Sequence, residues 1–243
     1  MRRTVVLAGV LLLVAAPTSR GQVIAYSNIT SFAGGAFPNG GAQTLGPDTI
    51  TRYVADDIAP APPFVGQSVT QFTVSVSNQN GGPVTVRPRV QFFAIDGTGN
   101  APGTLLLTLS LPPTSLVPGV SLLQSAPLPP GQFVLPPVFW AGMVFDDDNG
   151  TTGATAGQLN GFGQGAFGPP TVGGSSDVIF VSTAAGMQPA NPAGFGTNFG
   201  GAPPANFGWE FQVAPVPEPG SLALCGLAAV GGMVWRRRRA AAV

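Results

Sequence analysis

The chemistry open to this chain rests on its carboxylates. It has no His and no Lys, and its one Cys is Cys225. Ser-His-Asp, Cys-His, Ser-Lys and Schiff-base mechanisms each lack a member. Zinc lacks its usual nitrogen and sulfur ligands. Two acidic runs stand out, Asp146-Asp147-Asp148-Asn149 and Asp56-Asp57. Clustered carboxylates with amide and backbone oxygens suit a hard cation, so Asp146, Asp147, Asp148 and Asn149 read as a candidate calcium site. The run is no EF-hand, because Gly150 comes one place too early. The competing reading is that three aspartates end an apolar strand and keep it soluble. Asp56-Asp57 reads as a similar site or a turn cap. A glycosidase needs only two carboxylates, but nothing in the spacing pairs any two of these. Gly163-Gln164-Gly165-Ala166-Phe167-Gly168 fits G-x-G-x-x-G by letter, yet Pro169-Pro170 follows it where a nucleotide loop needs a helix.

The elements that must position these groups read as strands. Phe72, Val74 and Val76 alternate with Thr73, Ser75 and Ser77. Val84, Val86, Val90, Phe92 and Ala94 alternate with Thr85, Arg87, Arg89 and Gln91. Leu105, Leu107, Leu109 and Leu111 share a face, and Phe207, Trp209, Phe211 and Val213 alternate with polar neighbours. Period two over such spans marks half-buried strands. Val23 to Ile29, Ile50 to Asp56, Val138 to Phe145 and Val178 to Ser182 read the same way. With 26 Pro and 35 Gly, few helices survive. The expectation is an all-β fold: a single antiparallel β-sandwich, jelly-roll or Ig-like, over residues 22–216. Pro88 predicts an edge or a bulge in its strand. Asp146 to Gly174 and Ala184 to Asn206 read as long Gly/Pro-rich loops, pinned to the sandwich by Phe162, Phe167, Phe195 and Phe199.

Both ends read as targeting segments. Arg2 and Arg3, an apolar run from Val5 to Ala16, and small Ser19 and Gly21 form a secretory signal peptide over residues 1–21. Near the other end, Pro217-Glu218-Pro219-Gly220 leads into the apolar run Ser221 to Trp235, then Arg236, Arg237, Arg238 and Arg239, before a tail of residues 240–243. Fifteen helical residues rise only ~22 Å, short of the ~30 Å bilayer core. That suits a transient inner-membrane anchor, its arginines held on the cytoplasmic side. The order Pro-Glu-Pro, apolar helix, arginine block resembles the PEP-CTERM sorting signal of exported bacterial proteins. The resemblance implies processing by an exosortase-type membrane protease, with Pro217, Glu218, Pro219 and Arg236 to Arg239 as the sorting motif. Ala55-Asp56-Asp57, Asp96-Gly97, Ala101-Pro102-Gly103-Thr104, Phe139-Trp140-Ala141-Gly142 and Asn206-Phe207-Gly208-Trp209 are similar to pieces of exported β-sandwich PEP-CTERM proteins from planctomycete-like bacteria. That second resemblance implies no activity.

With both ends set aside, residues 22–216 keep three arginines against nine acids, a formal charge of −6. An acidic surface without Lys argues against nucleic acid. The sequence therefore predicts a non-catalytic structural or adhesive protein of the cell surface or extracellular matrix. The alternatives are a lectin-like sandwich, with calcium as its cofactor and exopolysaccharide as its partner, and a glycosidase. The lectin requires an exposed row of rings drawn from Trp140, Trp209, Tyr53 and the loop phenylalanines.

Overall fold

The computed structural model describes residues 22–30, 32–198 and 206–215. The expected signal peptide, Phe199, the motif from Pro217 to Pro219, the apolar run, the four terminal arginines and residues 240–243 lie outside the described residues. Among the described residues no helix is long and apolar enough to cross a membrane.

Gln22–Ala214 forms one compact unit, built almost entirely of strands. In chain order these are β1 (Val23–Ser27), β2 (Phe32–Pro38), β3 (Gln43–Leu45), β4 (Asp48–Ile50) and β5 (Arg52–Ile58). There follow β6 (Val69–Asn78), β7 (Val84–Ala94), β8 (Leu105–Ser110), β9 (Thr114–Leu116), β10 (Gly119–Gln124) and β11 (Phe139–Asp146). A one-turn helix, α1 (Ala156–Leu159), precedes β12 (Phe162–Phe167), β13 (Val178–Ala185), β14 (Gly194–Asn198), β15 (Asn206–Phe207) and β16 (Trp209–Val213).

They form two antiparallel sheets. The first runs β1-β16-β6-β12-β15, with β10 also on β6 and β2 also on β12. The second runs β14-β13-β5-β11-β4-β3, with β7 on the far side of β11 and β8 and β9 on β7. The sheets face one another across a single apolar core, as the alternation requires. Val54 and Ile58 of β5, Val90 and Phe92 of β7 and Phe139 and Met143 of β11 meet Phe72 and Val74 of β6 and Trp209 and Phe211 of β16. Phe92 is the hub: its ring lies 5.5 Å from Phe72, 5.7 Å from Trp209 and 5.4 Å from Phe211. Each buried ring removes roughly 150–250 Å² from water, so truncating Phe92 to Ala costs about 3–5 kcal/mol. The first and last strands close the unit, with Val23 opposite Val213. The chain therefore enters and leaves the domain side by side.

Three expectations need correction. Residues 146–174 are not one loop, because they contain α1 and β12, and β12 is buried at every position. Residues 184–206 hold β14. Glycine misled the reading in both. In β12 a Cβ at Gly163 would collide with the Phe37 carbonyl of β2, and in β14 one at Gly194 would collide with the Phe180 ring. These glycines permit close strand packing. Pro88, finally, is at neither an edge nor a bulge. β7 pairs continuously with β11 from Arg87 to Ala94. On its other side β9 pairs up to Val86 and β8 begins at Arg89, so Pro88 falls in the gap between two partners. Its missing N–H is not needed there.

Candidate functional site: two carboxylate clusters

Asp146 is the last ladder residue of β11, a strand with every residue buried. Along β11 the odd residues Phe139 to Phe145 face the core, so Asp146 falls on the opposite face with Trp140 and Val144. Arg87 is its Cα partner on β7, and Arg89 is two residues along on the same face. Asp48, at the start of β4, joins them. Arg87 Nε donates to Asp146 Oδ1 at 2.8 Å, and Arg87 Nη2 lies 3.3 Å from Asp48 Oδ2. Arg87 Nη1 pairs with Asp148 Oδ1, and Arg89 Nε with Asp146 Oδ2. Arg89 Nη2 donates to Asp48 Oδ2 at 2.6 Å. The backbone completes the network. Thr49 N–H and Gly150 N–H donate to Asp147 Oδ1 at 2.9 and 3.1 Å, and Asn149 N–H donates to Asp48 Oδ1 at 3.0 Å.

The structure thus brings Asp146, Asp147, Asp148 and Asn149 together, but around two guanidinium groups. Burial pushes the Asp146 carboxyl up to about 6, with Arg87 pulling the other way. Among the described residues no three acidic, His or Cys side chains converge as a metal cage. The partners Asp48, Arg87 and Arg89 were not foreseen. The available signal was two arginines at i and i+2 on one strand face, which need anions when that face is covered.

The second cluster lies on β5. Val54, Asp56 and Ile58 face the core, so Asp56 enters the space between the sheets and is 0% exposed. Its Oδ2 accepts the Phe207 N–H of β15 at 2.6 Å. No arginine accompanies it: the salt bridges of the described residues involve Arg87 and Arg89 with Asp48, Asp146 and Asp148. Asp57, on the other face, accepts Ser176 N–H at 3.0 Å and Ser176 Oγ–H at 3.0 Å through Oδ1. Ser175 lies between the two aspartates. Its Oγ is 3.3 Å from Asp56 Oδ1, 3.3 Å from Asp57 Oδ1, 3.1 Å from the Ser176 carbonyl and 2.7 Å from Asn206 Oδ1. Burial, and then Asp57, hold the Asp56 carboxyl well above the usual carboxylate range. Tyr26 is also fully buried, and its hydroxyl faces Ser175, Asp56 and Asp57 without forming a good hydrogen bond. Ser175 and Ser176 fall in a stretch poor in pattern and carried no signal, and Asn206 stood out only as the start of Asn206-Phe207-Gly208-Trp209, not as a site residue.

An open cleft of about 590 Å³ adjoins this cluster, lined by Asp57, Ser176, Trp140, Phe180 and Asn100 among others. Trp140 Nε1 is tied to the Asn100 carbonyl at 2.9 Å, and the residue is 4% exposed. Trp209, Tyr53, Phe162 and Phe167 are buried as well. Phe162 and Phe167 do pin their segment, whereas Phe195 is 51% exposed.

Comparison with known proteins bears on the end of the chain. No curated protein and no solved structure matches it. Residues 215–239 match the PEP-CTERM protein-sorting motif. That span contains the Pro-Glu-Pro triplet, the apolar run and the arginine block. It begins two residues after β16 ends. The motif directs a protein to export and to processing by exosortase, a membrane protein. The chain carries a PEP-CTERM protein-sorting motif, which indicates an exported protein directed to the cell surface.

Proposed function

We propose that residues 22–214 are a non-catalytic structural or adhesive domain of the cell surface or extracellular matrix, which associates with copies of itself. A free and uncharged strand edge carries this reading. Residues 97–145 contain no Asp, Glu, Lys, Arg or His. They include β8 and β9, which lie beyond β7, and β10, which pairs only with β6 among the described residues. Val117-Pro118 joins β9 to β10, so two edges meet at one corner of the sandwich. Val117 is 59% and Leu122 is 50% exposed there. Sandwiches usually blunt such edges with charge. An antiparallel edge is self-complementary about a two-fold axis. In a domain of net charge −6, this uncharged corner is where a second copy meets least repulsion.

The acids support the same reading. Eight of the nine in the domain accept hydrogen bonds from its own groups, as Asp96 does from Thr104 and Glu210 from Ser27. The lectin alternative has weak support, since the rings it would use are buried. A glycan array with this domain is expected to be flat, and an activity screen against glycosides to show no turnover. Sedimentation equilibrium tests the main proposal. The domain is expected to dimerise in the range of about 10 μM, typical of weak interfaces. Leu122→Lys is expected to leave it monomeric, and Phe195→Lys, on the far edge, to change nothing. A monomer at every concentration, or a dimer indifferent to Leu122→Lys, overturns the proposal.

A further inference from the structure

The oxygens around Ser175 are out of balance. One hydroxyl has one proton to give, yet four acceptors lie within 3.3 Å of it: Asp56 Oδ1, Asp57 Oδ1, Asn206 Oδ1 and the Ser176 carbonyl. The shortest of these contacts, to Asn206, takes that proton. Asp57 has the two Ser176 donors besides. Asp56 also accepts the Asp57 N–H, but it is 0% exposed with no cation beside it. A buried carboxylate in that position is costly unless it is protonated or meets a positive charge. Independently, the Tyr26 hydroxyl is fully buried, faces Ser175, Asp56 and Asp57, and makes no hydrogen bond of good geometry with any of them. A buried polar group without a partner marks a missing neighbour.

We propose that Asp56, Asp57, Ser175, Asn206 and the Ser176 carbonyl bind one calcium ion. The donor set is all oxygen and mixes two carboxylates with neutral hydroxyl, amide and carbonyl groups, as calcium favours. Two carboxylates match its charge. It needs only two acids, so it falls outside any search for three converging acidic side chains. The ligands come from β5, from the segment before β13 and from β15, so the ion links one strand of each sheet through that segment. Asp57 and Ser176 line the open cleft, which gives a hydrated ion its path in. The Tyr26 hydroxyl then donates to a coordinated oxygen or water. Magnesium fits less well, because it demands strict octahedral geometry and keeps its water.

The test is calcium titration of residues 22–214, followed by calorimetry and by thermal unfolding after chelator treatment. Saturable binding of one ion is expected, with a dissociation constant on the order of 10⁻⁴ to 10⁻³ M, usual for extracellular sites. Magnesium should bind at least about 10-fold more weakly. Asp56→Asn should weaken calcium binding at least about 100-fold, and the milder Ser175→Ala about 10-fold. Asp147→Asn should leave it unchanged. Both site variants are checked for folding by circular dichroism without calcium, and Ser175→Ala serves if Asp56→Asn does not fold. No saturable binding at millimolar calcium, or binding lost in Asp147→Asn and kept in the Asp56 and Ser175 variants, overturns the proposal. Neither result bears on self-association at β10, which is read by sedimentation.

Discussion

Asp146 and Asp56 sit on neighbouring strands of one sheet, both 0% exposed, and burial raises the pKa of both. Their surroundings differ completely. Asp146 looks outward from the sheet and meets two arginines. Asp56 looks inward and meets a tyrosine, a serine, an asparagine and two backbone N–H groups, but no cation. The difference teaches that crowding of acids along a sequence is a poor guide to cation sites. In the crowded run each carboxylate already has a donor from the chain. The sparse pair has donors too, but no cation, and Asn206 Oδ1 and the Ser176 carbonyl compete with it for the one Ser175 proton.

The largest effect should come from breaking the satisfied cluster. Arg87→Ala leaves Asp146 and Asp48 short of their shared partner, and should cost about 3–5 kcal/mol in denaturant unfolding. Arg87→Lys should rescue only part of this, since a lysine cannot present three directed N–H groups to three aspartates. Next comes the direct contrast. Without calcium, Asp146→Asn should cost about 2–3 kcal/mol, because two guanidinium groups lose a charged partner. Asp56→Asn should cost less than about 1 kcal/mol, since no cation there loses a partner and the amide oxygen can still accept the Phe207 N–H. Equal costs at the two sites would erase the comparison.

A smaller effect concerns pH, and its sign follows from the raised pKa values. Between the ordinary carboxylate value near ~4 and the folded value, the unfolded chain has released a proton that the native domain still holds. Stability is then fully present below pH ~4 and falls as pH rises, by up to ~1.4 kcal/mol per pH unit for each such group. Asp146 contributes between about 4 and 6, and Asp56 further up. Calcium should reverse the trend at Asp56, because binding the ion releases the proton. Unfolding curves at pH 4 to 8, with and without calcium, check this. A small effect is also expected from Ser176→Ala, which removes one hydroxyl donor from Asp57 and should cost about 1 kcal/mol.

The fold was legible where side chains alternate. The runs at Phe72, Val90, Leu107 and Phe211 announce their strands because one face of each is apolar and buried. β12 was not legible. Its FGQGAF sequence is shaped by the backbone of β2 lying where a side chain would be, and a contact between distant segments leaves no period in the sequence. The same limit applies to the site. Asp56 and Asp57 were visible, but Ser175 and Asn206 are 119 and 150 residues further along the chain than Asp56. Ordinary serines and asparagines become notable only when the fold sets them against a buried carboxylate. The sorting motif was fully legible, since its parts are contiguous and its recognition needs no fold.

The most direct test is a crystal structure of residues 22–214 grown in calcium chloride, with anomalous scattering to locate the ion. The account predicts one calcium among Asp56, Asp57, Ser175 and Asn206, with ligand distances of about 2.3–2.6 Å, and Arg87 and Arg89 still paired with Asp146. Calcium bound at Asp146 to Asn149, with the arginines displaced, would contradict it, as would a crystal with no calcium in the domain.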